Sequence, residues 1–245
     1  QRLRATVDID MAIRNAGNDY VTVQNCVFNN IEPDENSASE GVVWFTNTDT
    51  ITSATISNYT FNSCVTTWPD MGSGAKSGCI IIDGAAYGGT SKISGVTISG
   101  NTLTNCSQYG ITLGGYSASN DASGIISNNT ITSGYSSIDL CDYIGTLSVT
   151  GNTITNPYSY GIKVEGTSND SITIKNNTVT GSAGSYAVRI DSEDTSGAVT
   201  IQYNDLYNTN TEGYAISAGA SPSGGNDCKY NYFGSATGPY YSALT

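Results

Sequence analysis

Five ionisable residues fall into one small region if the apolar phrases that carry them lie side by side: Asp139, Lys163, Glu165, Arg189 and Asp191, with Asp142 nearby. The phrases share one form, Ile138-Asp139-Leu140, Ile162-Lys163-Val164-Glu165 and Val188-Arg189-Ile190-Asp191. Alternation of apolar and polar residues turns the ionisable ones to one side of a strand. Two chemistries follow from such a set. Asp139, Glu165 and Asp191 supply the hard oxygen ligands that calcium takes, and Lys163 or Arg189 beside them is a candidate for moving a proton. The plainer outcome is cross-strand pairing, Asp139 with Lys163 and Glu165 with Arg189, worth about 0.5 kcal/mol each on a solvated face.

The chain has no histidine. That excludes the usual serine or cysteine hydrolase triad and most transition-metal sites, copper among them. Glycoside hydrolysis needs two carboxylates facing across a cleft, about 5–9 Å apart, and no spacing here selects a pair. The six cysteines show no paired CxxC spacing, which argues against zinc. Cys64 and Cys106 fall at the same place in neighbouring repeats, so a disulfide between stacked coils is expected. Lys and Arg number 9 against 21 acids, a net charge of −12. Nucleic acid and anionic membranes both demand a basic face, so neither is expected as a partner.

Two further columns are chemically suggestive. Tyr109, Tyr160, Tyr186 and Tyr214 each precede a Gly/Ala–Ile/Val pair, with Tyr135 and Tyr158 near the same edge. Stacked tyrosines suit the C–H faces of sugar rings and also simply stabilise a stack. The pairs Thr102/Thr104, Thr130/Thr132, Thr153/Thr155 and Thr178/Thr180 predict a flat grid of hydroxyls and methyls, as on ice-binding solenoid faces, although threonine is also a good strand former. Sequons at Asn58, Asn105, Asn128, Asn169 and Asn176 are candidate glycosylation acceptors.

What must position these groups is a repeat. An apolar residue, two small or polar residues, an asparagine, a spacer and another apolar residue recur around Asn101, Asn129, Asn152, Asn177, Asn204 and Asn231, about 25 residues apart. Val23–Cys26–Phe28 and Ile56–Tyr59–Phe61 are degenerate copies upstream. Each repeat carries three short phrases of period two, each a strand with one buried face. Such strands bury their faces only if the chain coils and each coil bonds to the next in parallel. The expected fold is therefore all-β: a single-stranded parallel β-helix of about eight coils with three short sheets, running as one domain over residues 1–245. The aligned asparagines are structural. Their amides bond to neighbours above and below, and asparagine tolerates the left-handed corner conformation.

The repeats resemble those of right-handed parallel β-helix proteins, the superfamily of pectate-lyase-like enzymes and many secreted surface proteins, over roughly residues 5–240. The segment Asn231-Tyr232-Phe233-Gly234-Ser235 with Gly238-Pro239 is similar to the NYWG…GP ending of many extracellular members, Phe233 standing where Trp is usual. The resemblance implies a secreted or cell-surface location. It also implies a choice of functions: a non-catalytic surface protein acting in adhesion, glycan binding or filament assembly, or a calcium-dependent polysaccharide lyase. Lyases of this type hold calcium with acidic residues and use Arg or Lys to remove the proton beside a uronate carboxylate. The phrase Ala5-Thr6-Val7-Asp8-Ile9-Asp10 opens directly on a strand with no amphipathic helix over it. Such an end needs covering by more chain, by another domain or by a copy of itself stacked end to end.

Overall fold

The computed structural model describes residues 13–16, 20–31, 40–46, 50–64, 77–83, 92–106, 108–115, 121–165, 167–168, 171–181, 186–191, 198–207, 214–218 and 227–234. The opening strand phrase, Asn169 and Gly238-Pro239 lie outside them. Among the described residues there is no helix, and every strand pair is parallel. The three phrases of each repeat stack into three columns of strands. One runs from Ile13–Ala16 through Tyr109–Gly115 and Tyr160–Val164 to Tyr214–Ala218. A second runs from Tyr20–Gln24 through Ile93–Ser99 to Ala198–Gln202. The third holds the three-residue strands, from Val27–Asn29 to Asp205–Tyr207.

Among the described residues two sheets form where the repeat predicts three. Ser136–Thr150 is extended over all 15 of its residues, so it belongs to the first column at its start and the second at its end. That one strand fuses the two columns into a 15-stranded sheet, leaving the third column as a separate 7-stranded one. Among the described residues the third column stacks seven three-residue strands, and the next level enters it only through the bridge from Asp205 to Tyr232.

The apolar positions of each column meet their equivalents directly above and below. Ile111 pairs with Ile138, Ile138 with Ile162 and Ile162 with Val188. Leu103, Ile131, Ile154 and Val179 do the same in the third column. All are buried and belong to one continuous core along the coil axis. Phe28, Tyr59 and Phe61 fill it near one end, Phe28 and Phe61 stacked at 5.1 Å. Cys228, a core position by the repeat, is instead exposed.

Asn101, Asn129, Asn152, Asn177 and Asn204 form a buried ladder. From Asn129 onward each Oδ1 accepts two bonds from the level before it, whereas Asn101 Oδ1 accepts only the Tyr59 N–H. Asn152 Oδ1 receives the Asn129 backbone N–H at 3.0 Å and Asn129 Nδ2 at 2.9 Å. Each Nδ2 also donates back to a strand carbonyl of the preceding level, as Asn152 to Ile126 at 3.0 Å. Asn231 ends the ladder, accepting from Asn204 and donating to the Ile201 carbonyl. The bonding expected of these residues is present, but the left-handed conformation is not theirs. It belongs to the residue just before each one, Gly100, Asn128, Gly151, Asn176, Tyr203 and Tyr230, as it does to Asn58 before Tyr59. A second left-handed column, Asn30, Ser63, Asn105, Ser133, Asn156 and Gly181, follows the short strand. Two sharp corners thus bracket each three-residue strand. Gly151 is required twice over: its φ is +66°, and a Cβ there would lie 2.5 Å from Asn128 Oδ1.

Replacing Asn152 with Ala strands the Asn129 amide N–H groups and the Ile126 carbonyl in the core. The expected loss is on the order of 3 kcal/mol in chemical denaturation, against about 1 kcal/mol for Asn156→Ala at the exposed corner. Equal losses from the two would show the buried ladder to be no stronger than the surface.

Candidate functional site

The charged group assembles, on the first column of strands. Asp139 pairs in register with Lys163, and Lys163 with Arg189. Glu165 and Asp191 follow two residues on, their N–H groups bonding to Leu140 and Val164. Lys163 is ion-paired with Glu165 and, at 3.6 Å, with Asp191; Arg189 Nε bonds to Asp191. Burial acts to lower the pKa of Arg189, but the hydrogen bond and charge of Asp191 outweigh it and raise the value above the usual guanidinium range. Arg189 therefore keeps its proton and is a poor base.

The face itself differs from the solvated one that alternation predicts. Its column reads Trp44, Ile81, Thr112, Asp139, Lys163, Arg189. The first four of these are fully buried, and only Lys163 and Arg189 are half-exposed. Asp139 is thus a buried carboxylate and not one on a solvated face. Glu165 and Asp191 commit oxygens to Lys163 and Arg189, and among the described residues no three His, Cys, Asp or Glu side chains converge as a metal cluster.

The tyrosine column is more continuous than its sequence register. Tyr109 and Tyr160 both align with Ser136, so the column has a gap in register. Tyr135 closes it: the Tyr135 carbonyl accepts from the Tyr160 N–H at 3.0 Å, and its ring lies 6.2 Å from Tyr109 and 5.8 Å from Tyr160. Tyr160 and Tyr186 are parallel at 5.9 Å. Tyr158 flanks Tyr135 at 6.2 Å and is exposed. Tyr214 continues the backbone register beyond Tyr186, and its side chain lies outside what the structure describes. Lys163 Nζ sits 5.1 Å from the Tyr160 centroid and Arg189 4.6 Å from that of Tyr186. Rings and charges therefore form one strip along the edge of the first column.

The threonine grid is also present. Thr102, Thr130, Thr153 and Thr178 are in register, as are Thr104, Thr132, Thr155 and Thr180, and none of the eight is buried. Asn58, Asn105, Asn128 and Asn176 are exposed corner residues. Cys64 and Cys106 follow in-register strands and are buried, but no disulfide joins them. Each thiol donates to a carbonyl two residues back, Asn62 and Thr104. Stacked residues of parallel strands point their Cβ atoms the same way, about 4.8 Å apart, whereas a disulfide needs Cβ atoms about 3.8 Å apart and an S–S bond near 2.05 Å.

A coil of short parallel strands with an asparagine ladder and an aromatic edge is a β-solenoid that presents a flat, rigid side-chain strip. Residues 9–170, and again 78–238, match the family described as a right-handed β-helix region, and the chain belongs to that family. No curated protein and no solved structure matches the chain significantly. No helix among the described residues is long and apolar enough to cross a membrane.

Thiol titration in denaturant without reductant is expected to count all six cysteines. A count of four would show one disulfide, and a Cys64→Ser variant that raises the count to five would assign it to Cys64.

Proposed function

We propose that this chain is a non-catalytic, extracellular β-helix surface protein that binds a glycan along the strip Tyr109, Tyr135, Tyr160 and Tyr186, and that adhesion runs through this contact. The observation that carries the reading is the unbroken run of rings across neighbouring coils, with Lys163, Glu165, Arg189 and Asp191 at its margin. Sugar C–H groups pack on aromatic rings, while hydroxyls bond to flanking polar groups. Two cations and two anions hold each other there, so the margin is close to neutral and suits an uncharged polymer. A net charge of −12 disfavours a polyanionic one. The same pairing weighs against a calcium-dependent lyase, since the groups it would use as metal ligands and base are bound to one another.

A second reading has its own support. The threonine grid is flat, regular and uncovered over four levels, the arrangement an ordered water layer such as ice would meet.

On a glycan array the protein is expected to bind neutral polysaccharides, and Tyr160→Ala with Tyr186→Ala to weaken binding about tenfold or more. Unchanged binding in that variant sinks the strip. Polygalacturonate and alginate with calcium are expected to yield no unsaturated uronate product, read by ultraviolet absorbance. If the grid binds ice, thermal hysteresis is present in the parent and lost in Thr130→Tyr/Thr153→Tyr; a parent without hysteresis removes that reading.

A further inference from the structure

The corner before the asparagine ladder is left-handed at eight levels: Asn25, Asn58, Gly100, Asn128, Gly151, Asn176, Tyr203 and Tyr230. The first six are Asn or Gly, the residues that enter this region with least strain. The last two are tyrosines, at φ 57° and 59°. A bulky aromatic side chain in this conformation is strained, and strain of this kind is kept where the side chain has a use. A corner that needed only its backbone shape would repeat Asn or Gly.

The two rings do not fill the core. Tyr203 is 55% exposed and Tyr230 69%, and the rings stack on each other at 5.3 Å, 8° from parallel. Tyr207 and Tyr232 are on the same two levels, 45% and 52% exposed. Tyr232 bridges to Asp205, two residues past Tyr203, and the Tyr207 ring lies against Gly234, where a Cβ would displace it. Four exposed tyrosines therefore occupy the last two described levels, Tyr207 and Tyr232 in the columns that hold threonine at earlier ones and Tyr203 and Tyr230 at the corner before them. Polar groups lie on the same two levels: Gln202 donates to Asp227 at 2.8 Å, Lys229 pairs with Asp227 at 3.6 Å, and Asp205 is half-exposed.

We propose that Tyr203, Tyr207, Tyr230 and Tyr232 form a second contact for a neutral polysaccharide, separate from the strip at Tyr109–Tyr186. The class of ligand rests on the glycan-binding reading above; the site does not. Pyranose C–H faces pack on the exposed tyrosine rings, and Gln202, Asp205, Asp227 and Lys229 are the hydroxyl partners. The acids outnumber the single lysine, which favours an uncharged chain over a uronate. Two contacts on one rigid rod raise avidity for a long polymer beyond that of either alone.

The test is electrophoresis through gels containing galactomannan, xyloglucan, mixed-linkage β-glucan or dextran. The Tyr160→Ala/Tyr186→Ala protein is expected to remain retarded by at least one polymer. Adding Tyr203→Asn/Tyr230→Asn is expected to remove that retardation, while the melting temperature rises because asparagine relieves the corner. Retardation that survives the corner replacement overturns the second contact. If the strip variant alone already loses all retardation, the second contact falls and the strip stands. No retardation of the parent in any gel ends both. A melting temperature that drops on the tyrosine-to-asparagine change would make the rings structural and overturn the proposal as well.

Discussion

Each level of this coil is tied to the next by a side-chain amide that bonds in two directions. Asn152 accepts from the backbone and side chain of Asn129 and donates to Asn177 ahead and Ile126 behind. One residue thus satisfies backbone groups at a buried corner, where an unpaired N–H or C=O is costly, and fixes the register of three levels at once. A slip of one residue would break the ladder and turn every apolar side chain outward. The core columns follow from that register.

The corners add a constraint of a different kind. Two left-handed residues, five apart at most levels, turn the chain sharply on either side of a three-residue strand. From Asn58 to Asn176 Asn and Gly alternate along the first corner, since a glycine leaves room for the asparagine beneath it, as Gly100 does over Asn58 and Gly151 over Asn128. Tyr203 and Tyr230 break that economy, and they do so where the threonine grid gives way to tyrosine. Sites and scaffold share one backbone, so a functional side chain shows itself as a departure from the structural pattern.

The charged residues show the converse. Asp139, Lys163 and Arg189 hold the same place in successive strands, yet one is buried and two are half-exposed. Lys163 and Arg189 lie against tyrosine rings and beside two carboxylates, which anchors them as parts of one strip.

The parallel coil, the asparagine ladder, the core columns and the two threonine columns were legible in the amino-acid order, because strand alternation and repeat length are local properties that stacking only multiplies. Three things were not. The fusion of two strand columns depends on the single extended segment Ser136–Thr150. The closing of the tyrosine gap by Tyr135 depends on a carbonyl bond to Tyr160, outside the repeat register. The burial of Trp44, Ile81, Thr112 and Asp139 depends on what packs over an outward face, which alternation does not encode. Periodicity says which side of a strand a residue takes; only the folded chain decides whether that side meets water, another ring or more protein.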